Sequence, residues 1–421
     1  MKQTKGLRRV FSSSSSFAFT SNQKQQQPLA DQINNPPPSS SSSPYALLKS
    51  MKSEPDAKWA LKLFYRASML PGYRPILPVY DKLISKLARS GHVSSIESLL
   101  HHMKSEACNL SEGFCINLIN IYGESRLPHK AMTFFSSEME ALGCKRSVKT
   151  FNTLLNALYK SNWVKEIHEL YAQMGSFDIG PDVCTFNILI KCGGDSLSAL
   201  RVFQEMKREF GIIPNIVSYS TLITCFCREG LIGEAMRIME EMAAKGCAPD
   251  VITYNALMDG FCKKGKRFEA LKLMEKMVGE GCRPDDISFF VLVNSFCFEG
   301  QLREAYVALN QMIRSGLKLS VSIYNALLMG LFKCGKVERR LKMYTRMVFR
   351  GCVPTAGTYE TIINGCCRVR KNYVEATVIV DEMLLEQMFP SVETLNCLIH
   401  VLCSEGEAPN AARMLRRMNH R

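Results

Sequence analysis

Polar side chains return at a fixed interval of 35 residues, at the fifth and the last residue of successive units. Asn offers hydrogen-bond donors and acceptors, Ser offers one donor, and an ionised Asp only accepts. Each pair could therefore recognise the edge of one nucleobase. Alternatively, both positions cap helix ends, where Asn, Asp and Ser are favoured. The pairs are Asn152 and Asp182, Asn187 and Asn215, Ser220 and Asp250, Asn255 and Asp285, and Asn325 and Thr355.

Cations follow the same interval at the thirteenth residue of six units. They could complement the C-terminal end of a helix, where a cation contributes about 0.3–1 kcal/mol. They could also neutralise the phosphates of a bound polyanion, which makes affinity fall with salt. The two roles are compatible. The six residues are Arg89, Lys160, Arg228, Lys263, Lys333 and Arg368.

Composition limits the class of protein. The 53 Lys and Arg exceed the 39 Asp and Glu and give a formal charge of +14, which favours a polyanionic partner or an anionic membrane surface. Hydrophobic residues make up 46% and charged residues 22%, which is typical of a globular chain. No apolar run approaches the roughly 18–20 residues of a membrane span, so we expect no membrane segment.

Signatures of catalysis and metal binding are absent from the sequence. The 17 cysteines include no C-x-x-C pair, and no His and Cys cluster has zinc-ligand spacing. The segment "HEL" at 168–170 lacks the second His of a zinc protease. Ten cysteines recur at two positions of the unit, too far apart to bridge, and are expected to be buried or half-buried thiols in a reducing compartment. We therefore predict no enzyme, no metal and no cofactor.

The N-terminal segment 1–43 is predicted to be a cleavable transit peptide followed by a linker. It contains Lys2, Lys5, Arg8 and Arg9, many serines, and no acidic residue before Asp31. No long apolar stretch follows the basic residues, which argues against a secretory signal. The tracts "SSSSS", "QQQ" and "PPP" have too little apolar content to form a core. We expect import into mitochondria, with the chloroplast as the alternative.

The interval divides the rest of the chain into repeats. Residues 44–76 are a degenerate unit in which only the second half, "KWALKLFYRA" and Pro75, is recognisable, and 392–421 are a truncated unit. The nine repeats between them, numbered 1 to 9 below, are 77–111, 112–147, 148–182, 183–215, 216–250, 251–285, 286–320, 321–355 and 356–391.

Each repeat is predicted to be a helical hairpin. In repeat 6 the apolar spacing i, i+3, i+4, i+7 predicts a first helix that ends at Gly265, and a second apolar stripe predicts another helix before Gly281. Such hairpins bury their stripes only by stacking on neighbours, which gives an α-solenoid. The stripe residues are Tyr254, Leu257, Met258 and Phe261 in the first helix and Leu271, Met274 and Val278 in the second.

The unit "VITYNALMDGFCKKGKRFEALKLMEKMVGEGCRPD" resembles the pentatricopeptide repeat. The matching elements are the Tyr-Asn opening, the Gly265 to Ala270 turn, Met277 and the closing Pro-Asp, and they recur from residue 77 to the end. The tetratricopeptide repeat is the rival, but its W-x-x-L-G-x-x-Y signature is absent. The resemblance implies an all-α, right-handed α-solenoid of pure P-type repeats, without the zinc-binding deaminase extension of some relatives.

The family's code implies that each fifth and last pair reads one base of single-stranded RNA. It implies U for repeat 3, a pyrimidine for repeat 4, G for repeat 5, U for repeat 6 and a pyrimidine for repeat 8. The family also holds bases between apolar second residues, matched by Val217, Ile252 and Ile287, although these could simply pack at helix starts. Repeat 4 is two residues short, and Ile116, Phe290 and Glu360 depart from the code, so recognition should concentrate in 148–285.

We therefore expect a monomer that binds single-stranded organellar RNA in transcript stabilisation, processing, splicing or translation. RNA-processing or ribosomal proteins are the expected protein partners. The alternative function is a protein scaffold or a subunit of the organellar ribosome.

Overall fold

The fold is that of a computed structural model, which describes residues 44–53, 56–106, 108–368 and 372–419. The predicted transit peptide and linker over 1–43 lie outside the described residues. Within these ranges the chain is helical and contains no strand. No helix in these ranges combines the length and the apolar character that a membrane span needs.

The helices alternate between the first and the second helix of each hairpin, so odd labels are first helices and even labels second helices. In chain order they are α1 (Pro44–Ser53), α2 (Ala57–Ser68), α3 (Leu77–Arg89), α4 (Val93–Ser105), α5 (Glu112–Glu124), α6 (Pro128–Thr133), α7 (Val148–Lys160), α8 (Val164–Ala172), α9 (Val183–Cys192), α10 (Ser196–Arg208), α11 (Ile216–Glu229), α12 (Ile232–Ala244), α13 (Val251–Lys263), α14 (Arg267–Gly279), α15 (Asp286–Phe298), α16 (Leu302–Arg314), α17 (Val321–Lys333), α18 (Val337–Phe349), α19 (Ala356–Arg368), α20 (Tyr373–Leu385), α21 (Val392–Ser404) and α22 (Ala408–Asn419).

The described residues form two compact units, one that ends at Leu222 and one that begins at Ile223. In the first unit each first helix packs on the next, from α1 through α3, α5 and α7 to α9. In the second unit the same packing runs from α13 through α15, α17 and α19 to α21. The predicted all-α solenoid of stacked helix-turn-helix repeats is therefore confirmed.

In repeat 6 the predicted stripe of the first helix is buried except for the half-buried Phe261, whereas the stripe of the second helix differs from the predicted one. Tyr254, Leu257 and Met258 are fully buried in α13. In α14, however, the predicted Val278 is 57% exposed. A turn of 100° per residue places Val278 beside the buried face rather than on it. The buried residues of α14 are Ala270, Leu273, Met274 and Met277.

Close approach of consecutive first helices requires a glycine in repeat 8. A Cβ on Gly330 of α17 would lie 2.9 Å from the Cβ and 3.1 Å from the Cα of Cys297 on α15. Carbon atoms normally approach to about 3.5–4.0 Å, so the missing Cβ allows the two helices to pack.

The described cysteines are free thiols. Burial raises the pKa of both Cys227 and Cys297 to about 12, so these thiols are protonated and unreactive at neutral pH. Cys403 of α21 is exposed, which contradicts the expectation that it is covered like its equivalents.

The N-terminal unit is a full hairpin rather than the half unit that its sequence suggests. Helix α1 occupies the place of a first helix and packs on α3, with Leu47 and Met51 buried. The stretch "PYALLKSMKS" lacks the Tyr-Asn opening of the other repeats, so the motif did not reveal it.

Repeats of irregular length adjust locally. In repeat 2, helix α6 continues through a π-helical turn at Phe134–Glu138, which absorbs one extra residue. Arg146 donates from Nε to the Phe135 carbonyl at 2.9 Å in this turn, and its guanidinium lies over the Phe177 ring. In repeat 4, α9 ends at Cys192 after 10 residues, so the last helical turn and the cation of the thirteenth position are missing.

Candidate nucleic-acid interface

The second, fifth and thirteenth residues of a first helix share one face. At 100° per residue they lie within about 80° of one another around the helix axis, and the thirteenth lies about 12 Å along the axis from the fifth. We call the surface defined by these three positions the site face. It brings the predicted base-stacking, base-reading and phosphate-binding residues of each repeat onto one surface.

The fifth and last side chains meet in three repeats. In each case the carboxamide nitrogen of the fifth residue donates a hydrogen bond to an Oδ1 atom of the last residue. The bonds join Asn152 to Asp182 at 2.9 Å, Asn187 to Asn215 at 3.5 Å, and Asn255 to Asp285 at 3.1 Å.

The last residues also cap the first helix of the next repeat, which is the alternative role that the sequence suggested for them. Oδ1 of Asp182 accepts the backbone N–H of Thr185 at 2.8 Å, and Oδ1 of Asp285 accepts that of Ser288 at 2.9 Å. The fifth residues do not cap, since they lie more than one turn inside their helices. Asn152 is only 6% exposed, so these carboxamides form the floor of the site face.

The two paired carboxylates are held in the ionised form. Burial by itself would raise the pKa of Asp182, but hydrogen bonds from the Thr185 backbone and the Asn152 carboxamide outweigh it and lower that pKa below its ordinary value. The pKa of Asp285 is lowered in the same way, against burial, by the Ser288 backbone and the Asn255 carboxamide. Both groups therefore act as acceptors at neutral pH.

The remaining predicted pairs are arranged differently. In repeat 5, the Ser220 hydroxyl donates to the Ile216 carbonyl at 2.7 Å, and Asp250 caps the following helix through the Thr253 N–H at 2.9 Å. In repeat 8, the Oδ1 atom of Asn325 is buried without a hydrogen-bond partner among the described residues. The Thr355 hydroxyl lies 3.2 Å from the hydroxyl of Thr358 instead.

The apolar second residues are exposed. Val217 is 48%, Ile252 is 66% and Ile287 is 58% exposed, although aliphatic side chains of this size are usually buried. Packing at a helix start therefore covers only part of each side chain. They leave apolar surface on the site face beside the fifth residues, where a flat ring could be held.

The six predicted cations are all exposed at the C-terminal ends of first helices. Lys263 pairs with Asp259 at 2.6 Å, and the Lys333 ammonium donates to the Phe298 carbonyl and lies 4.3 Å from its ring centre. Across the described ranges, no acidic group forms an ion pair with the other four, which leaves their charge available to a ligand. These four are Arg89, Lys160, Arg228 and Arg368.

The repeats that depart from the code use their fifth residues otherwise. Asp81 of repeat 1 accepts a hydrogen bond from Asn117 Nδ2 at 2.7 Å, beside a cavity of about 370 Å³ that Pro78 and Gly113 help to line. Glu360 of repeat 9 accepts the backbone N–H of Ser391 at 2.7 Å. Neither arrangement resembles the Asn pairs of repeats 3, 4 and 6.

One set of residues was missed at the level of sequence. The third residue of the following repeat contributes a buried hydroxyl to each Asn pair, from Thr185, Ser218 or Ser288. Its signal is a Ser or Thr at the third residue of repeats 4, 5 and 7, which is present in the sequence but also fits an ordinary helix N-terminus. No group of three or more potential metal ligands occurs in the described part of the chain.

Family models match most of the repeat region. The model described as "PPR repeat family" matches residues 146–192, 214–263, 249–297 and 319–368. A "Pentatricopeptide repeat domain" model matches 193–229, and a "PPR repeat" model matches 291–317 and 393–421. The matches are contiguous from residue 146 to residue 317.

Individual relatives match parts of the chain. A pentatricopeptide repeat-containing protein of Arabidopsis thaliana is 33% identical over 200 residues, which cover 46% of this chain and 39% of the relative. A second Arabidopsis thaliana protein, named as mitochondrial, is 34% identical over 173 residues, covering 40% and 43%. The matches thus span less than half of either relative. The crystal structure of the pentatricopeptide repeat protein PPR10 in complex with an 18-nt psaJ RNA element matches with a TM-score of 0.39 and 21% identity, over 88% of this chain and 57% of that one.

Proposed function

Since the chain belongs to the pentatricopeptide repeat family, we propose that it binds single-stranded RNA and that each central repeat contacts one base. The observation that carries the proposal is the set of three Asn pairs on the site face, at one equivalent position per repeat. Capping alone does not require a buried carboxamide at the fifth position, because the last residue already caps the helix.

The chemistry of each pair suits a base edge. The Asn255 carboxamide has two N–H groups and donates one of them to Asp285, which leaves the other for a ligand. Asp285 Oδ2 is not engaged in that bond. The pair therefore offers one donor and one acceptor side by side, which complements a pyrimidine edge. The family's code assigns uracil to this combination.

Exposed aliphatic side chains supply affinity without selection. A base seated at repeat 6 would lie between Ile252 of that repeat and Ile287 of the next. Apolar contacts with the faces of a base hold any of the four bases, so they add to binding while the polar pair discriminates. The cations at the thirteenth positions would then neutralise the phosphates of the same strand.

The proposed target is read in one direction. With the family's polarity, in which the N-terminal repeats face the 5′ end of the RNA, repeats 3 to 8 select 5′-U-Y-G-U-n-Y-3′, where Y is a pyrimidine and n is any base. Repeats 3 to 6 contribute the first four bases. The last Y is the weakest position, because no hydrogen bond joins Asn325 to Thr355 in the described part of the chain.

The proposed setting is an organelle, with mitochondria favoured. The basic, serine-rich segment at 1–22 and the mitochondrial name of one relative support this setting. Bound to a transcript, the chain would block exonucleases, keep a site single-stranded for splicing or translation, or recruit a processing enzyme. In each role it acts by binding rather than by catalysis.

Selection from a pool of randomised single-stranded RNA tests the proposal. The purified chain should enrich U-Y-G-U, and the enriched sequences should compete with an unrelated RNA of equal length in a binding assay. Binding without any enriched sequence would reduce the proposal to a general attraction between a +14 protein and RNA.

A second candidate function is a protein scaffold or a subunit of the organellar ribosome. It is favoured by large apolar side chains that are exposed near the ends of repeats 8 and 9, where Phe349 is 90%, Val353 75% and Leu385 70% exposed. Exposed apolar surface of this kind often marks protein contacts. Co-sedimentation with ribosomal subunits after nuclease treatment would support this function, and its loss after nuclease treatment would assign the association to RNA.

A further inference from the structure

We propose that the Ser or Thr at the third residue of the next repeat is a specificity-determining residue, because its hydroxyl fixes the orientation of the base-contacting Asn. This inference rests on the RNA binding proposed above. The bonds concerned run from Thr185 Oγ1 to Asn152 Oδ1 at 2.8 Å, from Ser218 Oγ to Asn187 Oδ1 at 2.6 Å, and from Ser288 Oγ to Asn255 Oδ1 at 2.6 Å.

The direction of these bonds follows from the rest of the network. In each case the hydroxyl oxygen accepts the backbone N–H of the last residue at 3.2 Å, so the hydroxyl is anchored to the helix start. A hydroxyl carries a single proton. That proton points to the Asn carboxamide oxygen, which is the shorter of the two contacts that the hydroxyl makes with an acceptor.

The anchored hydroxyl determines which end of the carboxamide faces the ligand. With Asn152 Oδ1 held by Thr185, the carboxamide nitrogen must face Asp182, and its second N–H stays available to a base. Thr185 is fully buried and Asn152 is 6% exposed, so water competes poorly for these groups. Without the hydroxyl, the buried carboxamide oxygen would lose its donor and the side chain would turn to find another.

The sequence follows the same rule within this chain. Each fifth-position Asn that has a complete following repeat is followed by a Ser or Thr at the third residue of that repeat. Repeat 8 shows what happens when the last residue is not Asp or Asn. There the Thr358 hydroxyl lies against Thr355, and the carboxamide oxygen of Asn325 has no hydrogen-bond partner within the described ranges.

The test removes one hydroxyl while keeping the shape of the side chain. In Thr185→Val, the preference for uracil at the base read by repeat 3 should fall by about tenfold, the effect expected when a buried acceptor loses its donor. Preferences at the other bases should stay unchanged. Thr185→Ser keeps the hydroxyl and should keep the preference. The measurement is binding to four RNAs that differ only at that base.

Thr150→Val is the matched control. Thr150 is the same third residue one repeat earlier and is equally buried, and among the described residues its hydroxyl bonds only to Ser147 of the helix start. The fifth residue before it is Ile116, so no carboxamide depends on it. This variant should change no base preference.

The outcomes separate this inference from the function on which it rests. If the wild-type chain shows no preference at any base, the proposed sequence-specific binding fails. If the wild type prefers uracil and Thr185→Val retains that preference in full, or Thr150→Val loses as much of it, the hydroxyl is only a helix cap and the inference is overturned.

Discussion

Truncation of the two exposed isoleucines of repeats 6 and 7 should weaken RNA binding without weakening the fold. In the double variant Ile252→Ala and Ile287→Ala, both changes remove side chains that are already in solvent, 66% and 58% exposed. Substitutions of exposed side chains usually alter stability by no more than about 0.5 kcal/mol. The loss of free energy should therefore appear in RNA binding rather than in folding.

The expected size follows from the exposed fractions. Full burial of an isoleucine side chain contributes about 1.5–3 kcal/mol, so the exposed part of each could contribute about 1–2 kcal/mol when a base covers it. Alanine retains part of that contact, which leaves a loss of about 1 kcal/mol per site and about 2 kcal/mol for both. At 1.4 kcal/mol per tenfold, the dissociation constant should rise by about 30-fold.

Fluorescence anisotropy with a labelled RNA that contains U-Y-G-U measures this loss, and thermal unfolding checks the fold. The base preferences of the variant should equal those of the wild type, because stacking does not select. Val278→Ala is the control, since Val278 is 57% exposed but lies on a second helix, away from the site face. Unchanged affinity in the double variant, or an equal loss in the control, would refute the stacking role.

Three further perturbations have expected outcomes. Gly330→Ala would place a Cβ 2.9 Å from the Cys297 Cβ. The overpacking cost of about 1–3 kcal/mol exceeds the gain in helix propensity of up to about 1 kcal/mol, so the midpoint of thermal unfolding should fall. Gly279→Ala, whose added Cβ would meet no neighbour, should not lower that midpoint. The lowered pKa of Asp285 means that its contribution to stability is complete above the unfolded pKa of about 3.9 and is lost as the pH falls through the folded pKa. The gap in urea midpoint between wild type and Asp285→Asn should therefore shrink as the pH falls from about 6 to 3, and a constant gap would contradict the shift. Lys160→Ala should reduce the slope of log affinity against log salt by about 0.7, the value for one phosphate contact on a single strand, and an unchanged slope would exclude that contact.

Periodicity was enough to predict the hairpins, because a stripe of apolar residues at helical spacing can be buried only by stacking. It was not enough to fix the buried face of α14. Val278 is apolar and correctly spaced from Met274, yet it is exposed while Ala270 is buried. Because apolar residues flank the stripe on both sides, the sequence does not show which of two adjacent rows of side chains is buried. Only the packing of neighbouring helices resolves it.

The polar positions were found by sequence but their roles were not. Asn and Asp fit both helix caps and ligand contacts, so residue type left the two alternatives open. In the structure Asp285 caps the next helix and also joins the Asn pair, because its Oδ1 accepts both the Ser288 N–H and an N–H of the Asn255 carboxamide. The contribution of Ser288 depends on a contact between side chains 33 residues apart, which no local pattern reveals.

The most direct test of base reading by the fifth residue is to change one such residue into the type found one repeat earlier. Repeats 5 and 6 share Asp as their last residue and differ at the fifth, where Ser220 and Asn255 stand. Binding of wild type and Asn255→Ser should be measured on RNAs that carry U or G at the base read by repeat 6. If the fifth residue reads the base, the variant should prefer G where the wild type prefers U, with all other positions unchanged. If the wild type and the variant both prefer U, or if both bind the two RNAs equally well, base reading by the fifth residue is contradicted.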